Sequence, residues 1–317
     1  MDILKEIGEA RSIAITGHER PDGDCIGASL ALYIYLKKAL KNVEISVFLE
    51  DIPTIFNTLK GAEDIQSAEG RCDKFDVFFV LDSTVDRTGP SKEMAMGAGK
   101  IINIDHHVTN AAGCGDSNYV VPQASSTCEV LYELMDKKYM DVDIATSIYT
   151  GIINDCGVFQ YSCTSKRTLE IAGELIEYGF DFPALIEKTF YEKTYVQNQL
   201  LGRALLESIM FMDGKCIVSS IDKATMDFYG AKPKHLDGIA SQLRNTRGVD
   251  CAIFMYELEN GVRKVSMRSN EKVDVAKVAS NFGGGGHARA AGCTVTGSFY
   301  DIVNSLSGFI EAQLYNK

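Results

Sequence analysis

No apolar stretch in the 317-residue sequence approaches the roughly 18–20 residues that a membrane-spanning helix requires. The opening segment, Met1 to Glu9, is acidic and amphipathic where a secretory leader is basic and then apolar, so no signal peptide is expected. Cysteine is neither paired nor patterned. Nine residues, an odd number with no C-x-x-C spacing, argue against a disulfide framework and a zinc ribbon. A reducing cytoplasm is the expected compartment. Basic blocks are missing as well: 32 basic against 43 acidic residues give a net charge of −11. Proteins that grip long duplexes carry a basic face and gain affinity by releasing counterions. Any nucleic-acid substrate is therefore expected to be short and held locally. Internal repeats are absent, and one glycine run is the only low-complexity tract.

What is present is ordinary globular composition, 45% hydrophobic and 24% charged, in a chain long for one core and comfortable for two domains. The apolar run Lys100–Asp105 passes without a polar spacer into His106 and His107. Runs of this length between turn residues suit an inner strand of a parallel sheet, and open α/β sheets gather ligands outside the carboxyl ends of such strands. Taken alone, two adjacent histidines are weak evidence and are also compatible with a capped polar rim. The other strand ends decide the matter.

Arg11–Thr16 reads as the first strand, and Pro21 with Gly23 forbids regular helix through the segment that follows. A helix is predicted from about Ile26 to Leu40, which leaves His18, Asp22 and Asp24 on one tight strand-to-helix loop. Val43–Leu49 and Asp76–Asp82 are further strands, the second closing on a carboxylate. Helices are expected at about Ser125–Asp136, opening with a Ser-Ser-Thr segment suited to capping, and at about Val142–Ile153, ending near Asp155. An acidic group in the last turn of a helix opposes the macrodipole, and a bound cation would compensate it. Alternation of strand and helix through this half implies a parallel sheet with right-handed crossovers. The stretch from Thr168 to about Gln199 is largely helical. Beyond Gly202 come a strand at Lys215–Ile221, a helix at His235–Thr246, and strands Val249–Glu257 and Val262–Ser269 flanking the hairpin signal Asn260-Gly261. Period-two alternation puts Arg268 on an accessible face, opposite Val265 and Met267. A helix at Asp274–Asn281 runs into the glycine run and His287, and a last helix covers Phe299–Tyr315. The expected organisation is α/β throughout: a parallel-sheet domain over 1–185, a helical linker over 186–205, and a smaller α/β domain over 206–317, with the active site in the cleft between the domains.

His18, Asp22, Asp24, Asp82, Asp105, His106, His107 and Asp155 all fall at strand or helix ends. Carboxylates forced together repel and raise one another's pKa unless cations neutralise them. Oxygen-rich sites with some imidazole suit Mn²⁺ or Mg²⁺, and two ions about 3.5–4 Å apart sharing a carboxylate form a clamp for phosphoryl displacement.

These motifs resemble those of the DHH phosphoesterase family, named for the triplet that here is Asp105-His106-His107. The spacing His18-x-x-x-Asp22-x-Asp24 matches the family's first motif, Asp82 its second and Asp155 its fourth. Gly284–His287 resembles the Gly-Gly-Gly-His hallmark of the associated C-terminal domain. The nearest resemblance is to the stand-alone nanoRNase and 3′-phosphoadenosine-5′-phosphate phosphatase type. It implies one metal held by His18, Asp22 and Asp82, and a second held by Asp24, Asp82, His106 and Asp155, with Asp82 bridging. It implies that Asp105 orients an imidazole and that His107 meets a phosphate or donates a proton. In the C-terminal half it assigns substrate binding to Arg268, Gly285, Gly286 and His287; Arg289 in the same half and Arg87 in the N-terminal half are weaker candidates. Glycine is expected there because a missing Cβ lets backbone N–H groups approach phosphate oxygens. One departure is Cys156, where relatives often carry threonine; its neighbourhood suggests sensitivity to oxidation.

The implied activity is Mn²⁺-dependent hydrolysis, by two-metal hydroxide attack, of short oligonucleotides, linear dinucleotides such as pApA, or 3′-phosphoadenosine-5′-phosphate. Mg²⁺ is the other ion the donors suit, and the oligomeric state, homodimer included, is left open. Three rivals stand beside it: an inorganic pyrophosphatase, a cyclic-di-AMP phosphodiesterase, and a catalytically silent nucleotide-binding regulator. The glycine-His loop argues against the first, and a full set of expected ligands against the last.

Overall fold

The computed structural model describes residues 2–259 and 261–315, in two units, Met1–Glu192 and Lys193–Lys317. No helix among the described residues is long and apolar enough to cross a membrane.

The first unit runs α1 (Ile3–Ile7), β1 (Ser12–Thr16), α2 (Gly23–Ala39), β2 (Glu44–Phe48), β3 (Ile65–Gln66), β4 (Val77–Leu81), α3 (Lys92–Met96), β5 (Ile101–Asp105), β6 (Ser117–Val120), α4 (Thr127–Leu134), α5 (Val142–Asp155), α6 (Lys166–Ile176) and α7 (Phe182–Ile186), the last continuing into a π-helical turn. Its six strands form one sheet in the order β3-β2-β1-β4-β5-β6, parallel at every pairing. Because the sheet is buried on both faces, its inner strands are apolar at nearly every position. Ile13, Ile15, Val77, Phe79, Leu81, Ile102 and Ile104 face the core beneath α2, α4 and α5, while Ala14, Phe78 and Val80 face a smaller core with Met94 and Ala95 of α3. The chain winds outward from β1 in one direction and from β4 in the other. The junction of β1 and β4 is thus the topological switch point, where such sheets place their ligands.

Two helices hold the geometry at that point. A Cβ on Gly27 of α2 would lie 2.5 Å from the Ser147 carbonyl oxygen of α5, and one on Gly151 of α5 would lie 2.7 Å from Asp24 Oδ1. Glycine at both positions allows the helices to approach until Asp24 and Asp155 share one pocket.

The parallel-sheet α/β architecture expected from the sequence is the one found, with local corrections. Helix α2 begins at Gly23, earlier than predicted, because Asp22 caps it by accepting hydrogen bonds from the Asp24 and Cys25 amides. Asp24 therefore lies in the first helical turn and not on the loop. Ser126 caps α4 by accepting from the Glu129 amide. The strands β3 and β6 had no counterpart in the sequence reading; β6 is a polar edge strand, Ser-Asn-Tyr-Val, without an apolar run to signal it.

The second unit contains α8 (Tyr195–Leu206), β7 (Ile209–Phe211), β8 (Cys216–Ile221), α9 (Lys223–Phe228), α10 (Ile239–Arg244), β9 (Cys251–Glu257), β10 (Val262–Ser269), α11 (Val275–Ser280), β11 (Gly285–His287), β12 (Ala290–Thr296) and α12 (Phe299–Tyr315). Helix α8 places Leu200 and Ala204 in this unit's core. The sheet order is β11-β12-β10-β9-β8-β7, parallel only between β8 and β9. Strands β9 and β10 pair antiparallel as the hairpin signal predicts; Asn260 itself lies outside the described residues. Val265 and Met267 are buried and Arg268 is half-buried, in keeping with the alternation. The glycine run was read as loop; it is in fact the short strand β11 and its approach, paired with β12.

Candidate metal centre

Three carboxylates converge at the switch point although they come from α2, the end of β4 and the end of α5. Asp24 and Asp82 are 1% and 2% exposed. Asp82 stands just past β4 with a left-handed φ of 54°, a conformation Asp tolerates better than most residues. Its two oxygens face different partners. Oδ2 lies 3.5 Å from His18 Nε2, which is also 3.7 Å from Asp22 Oδ1. Oδ1 lies 3.6 Å from His106 Nε2, which is also 3.2 Å from Asp155 Oδ2 and 3.9 Å from Asp24 Oδ2. The expected first group (His18, Asp22, Asp82) and second group (Asp24, Asp82, His106, Asp155) are therefore each brought together, with Asp82 common to both.

Both imidazoles are oriented from behind. His18 Nδ1 lies 3.0 Å from the Glu19 carbonyl and His106 Nδ1 lies 3.3 Å from that of Ala124. A ring that donates its Nδ1 proton to a carbonyl turns Nε2 toward the carboxylates as a lone pair, the arrangement of a metal-ligating histidine. Imidazole and carboxylate then aim acceptors at one another across a shared space, and something positive must fill it.

In the metal-free chain protons take that role. Burial disfavours charge on His18, but hydrogen bonds to Asp22 and Asp82 outweigh it and raise the imidazole to about 10. Burial, together with repulsion from Asp82 and Asp155, pushes the Asp24 carboxyl well up. Burial likewise raises Asp155 to about 6, against the pull of His106. These are the marks of a carboxylate cluster short of positive charge. A donor set of oxygen and imidazole, with no exposed thiolate, fits hard or borderline divalent ions, so the residues present suit the metals the motifs imply. Among the described residues, three sets have ligand atoms mutually within 4.8 Å: Asp24 with His106 and Asp155, Asp82 with His106 and His107, and His18 with Cys25 and Asp82.

Asp105 is fully buried, and its Oδ1 accepts from the His106 and His107 amides at 2.7 and 3.0 Å and from His107 Nδ1 at 2.8 Å. It thus orients His107, whose protonated form the Asp105 hydrogen bond stabilises up to about 9. Asp105 is itself fixed by Asn110 Nδ2, which donates to Oδ2 at 2.7 Å and to Asn103 Oδ1 at 2.9 Å. Neither asparagine was singled out from sequence, although a lone polar residue inside the run Ile-Ile-Asn-Ile was a signal of a buried partner.

Thr127 is a second omission. Its hydroxyl donates to Asp82 Oδ1 at 3.0 Å, and its amide, with that of Cys128, donates to the two oxygens of Asp24 at 2.6 and 3.0 Å. The amino end of α4 therefore holds two of the three central carboxylates. The Ser-Ser-Thr segment was legible as a cap; what it docks was not. Cys156 is a correction. It is fully buried, and burial pushes its thiol up to about 11, so Cys156 presents no exposed thiolate for the expected oxidation.

In the second unit, Arg268 on β10 is opposite Ala290 on β12, and Ala290 is opposite His287 on β11. Side chains directly opposite in antiparallel pairs share a face, so Arg268 and His287 flank a small residue on one surface. The reason for glycine needs refining. A Cβ on Gly284 would lie 2.2 Å from the Gly292 carbonyl oxygen and one on Gly286 2.5 Å from that of Ala290, so these two glycines are required by strand pairing. Gly285 faces open space and is the one whose missing side chain leaves room for a ligand. Arg87 and Arg289 are both exposed; Arg289 Nη1 lies 3.3 Å from the Val273 carbonyl.

Known proteins resemble this chain in both of its units. Residues 12–152 match the model of the DHH family, N-terminal domain, and residues 213–312 that of the DHHA1 domain. A Thermus thermophilus protein named bifunctional oligoribonuclease and PAP phosphatase NrnA is 31% identical over 90% of this chain and 84% of its own length. The chain belongs to the DHH family of phosphoesterases. A Bacillus subtilis protein of the same name is 27% identical over 93% of this chain and 92% of its own. Among solved structures, an exopolyphosphatase-related protein from Bacteroides fragilis superposes with a TM-score of 0.88 at 25% identity, covering 98% of this chain and 94% of its own.

Proposed function

We propose that this chain hydrolyses phosphoester bonds in short nucleotides (linear dinucleotides, slightly longer oligonucleotides, or 3′-phosphoadenosine-5′-phosphate) with two divalent ions, Mn²⁺ foremost. The observation that carries the proposal is the division of the Asp82 carboxylate. One oxygen lies beside His18, whose Nε2 also meets Asp22, and the other lies beside His106, whose Nε2 also meets Asp24 and Asp155. The relatives from T. thermophilus and B. subtilis, named as oligoribonucleases and PAP phosphatases, support the substrate class.

On this reading His18, Asp22 and Asp82 hold one ion, and Asp24, Asp82, His106 and Asp155 the other. Such ions supply a water of lowered pKa and neutralise charge on phosphoryl oxygens. The rest falls to the chain's own groups. Thr127 and the α4 amides keep Asp82 and Asp24 from turning away. Asp105 fixes the His107 ring and keeps it protonated, so that His107 Nε2 has a proton to give to a phosphoryl or leaving oxygen. Arg268 and His287 bind the far phosphate or nucleoside, and the backbone at Gly285 approaches it without hindrance. A long duplex is disfavoured as a substrate by the net charge of −11.

The test is product analysis with Mn²⁺-loaded protein on pApA, longer oligonucleotides, 3′-phosphoadenosine-5′-phosphate and pyrophosphate. Mononucleotide products, abolished by Asp82→Ala, are expected. Near-normal turnover by Asp82→Ala would remove the two-metal proposal, and faster release from pyrophosphate than from any nucleotide would replace the substrate class.

A further inference from the structure

Beyond α5 the backbone makes a turn that few sequences adopt. Gly157, Val158 and Phe159 have φ of 59°, 51° and 65° in succession. Gly157 is an ordinary helix-ending residue, since the Val158 amide reaches back to the Ile153 carbonyl at 2.7 Å. The next two are not ordinary. A β-branched and an aromatic residue are both sterically disfavoured in the left-handed region, and such strain tends to collect at functional sites.

The directions of two aromatic rings show what the turn accomplishes. Phe159 goes inward, partly buried against the main core, with its ring centroid 6.3 Å from that of Tyr149. Tyr161 goes outward and is 49% exposed, while its amide is tied to the Cys156 carbonyl at 3.0 Å. Its ring rests on Gly157, where a Cβ would come within 2.5 Å of Cζ. One side of the ring is thus supported by backbone and much of the rest is open. Gly157 is two residues from Asp155, a span of at most about 7 Å of chain. An aromatic ring held in place, exposed, and seated on a glycine two residues from a candidate metal ligand has the features of a stacking platform. Stacking needs only a π-face, so it accepts any base, and a neutral phenol adds no charge preference.

We infer that Tyr161 stacks against a nucleobase of the substrate and sets the preference of this site for nucleotides over bare phosphoesters. The inference rests on the nucleotide-hydrolase reading above and adds a binding residue to it. Gly157 is part of the same device, because any side chain there would displace the ring.

The experiment is a kinetic cycle on Mn²⁺-loaded protein. Wild type, Tyr161→Phe and Tyr161→Ala are assayed on pApA and on two analogues, each lacking one of the two bases. Stacking predicts that Tyr161→Ala raises KM for pApA by about 10-fold with kcat little changed, in line with the loss of one base–aromatic contact. It predicts no such change on the analogue lacking the stacked base, and wild-type behaviour for Tyr161→Phe. A 2-aminopurine dinucleotide should be quenched on binding to wild type and Tyr161→Phe but not to Tyr161→Ala. Equal effects of Tyr161→Ala on all three substrates, or none on any, would overturn the inference. If wild type cleaved none of them, the hydrolase reading would fall. The quenching comparison would still decide Tyr161, since equal quenching in all three proteins excludes stacking and selective loss in Tyr161→Ala supports it.

Discussion

Replacing Thr127 by valine removes one hydroxyl at nearly constant shape and leaves the backbone amide in place. The substitution therefore separates two tasks of one residue: the amide that holds Asp24 Oδ2 at 2.6 Å remains, and the hydroxyl that holds Asp82 Oδ1 at 3.0 Å is lost. Thr127 is fully buried, so no solvent replaces the missing donor. A hydrogen bond to a charged group contributes about 1.5–3 kcal/mol. If the hydroxyl serves to fix the two oxygens of Asp82 toward their separate partners, that energy appears as ordering the metals must supply themselves. The expected result is Mn²⁺ binding weakened by about 10–100-fold, the range seen when a group that orients a ligand is removed. Isothermal titration of metal-stripped protein measures it, and Thr127→Ser should restore most of the affinity. A valine variant that melts lower yet binds Mn²⁺ as tightly as wild type would refute the reasoning, because the hydroxyl would then serve packing alone.

Other consequences follow from the same geometry. Gly151→Ala places a Cβ 2.2 Å from Cys128 Sγ and 2.7 Å from Asp24 Oδ1, so it should cost about 1–3 kcal/mol by overpacking and weaken metal binding together with stability; a thermal melt and a metal titration check both. In the metal-free chain His18 titrates at about 10 and His107 at about 9 against an ordinary value of 6.5, so the folded state holds protons that the unfolded state releases. The stabilisation is full below about pH 6.5 and is lost as pH rises through those folded values, so melts in chelator should show falling stability from about pH 6.5 to about 10. Mn²⁺ should raise the melting temperature more at the alkaline end, and a metal-free chain that becomes more stable over that window would contradict the proton-for-metal account. Arg268→Ala should raise KM for a 5′-phosphorylated dinucleotide by about 10–100-fold through loss of a charge-assisted contact, with the metal stoichiometry unchanged.

Much of this was legible in the sequence because the two signals involved are local. Apolar runs of strand length mark β1, β4 and β5, and the chemistry-bearing residues come directly after them, at His18, Asp82 and Asp105 to His107. The parts that were missed depend on partners distant in sequence. Thr127 meets Asp82 across a sequence separation of 45, and no periodicity in either segment announces the contact. Asn103 and Asn110 support Asp105 from within a strand and a turn whose patterns read only as secondary structure. Gly27 and Gly151 lie inside helical runs, where glycine ordinarily weakens a helix; their value appears only when the two helices meet. The glycine run misled in another way. Its composition reads as loop, while pairing with β12 requires glycine at 284 and 286 for lack of space.

The central claim is that Asp24, Asp82 and Asp155 are brought together to share two divalent ions. A crystal of the Mn²⁺-soaked protein, with data collected at the manganese absorption edge, tests it most directly. The account predicts two anomalous peaks about 3.5–4 Å apart with Asp82 between them. A single peak, or two that share no carboxylate, would contradict it.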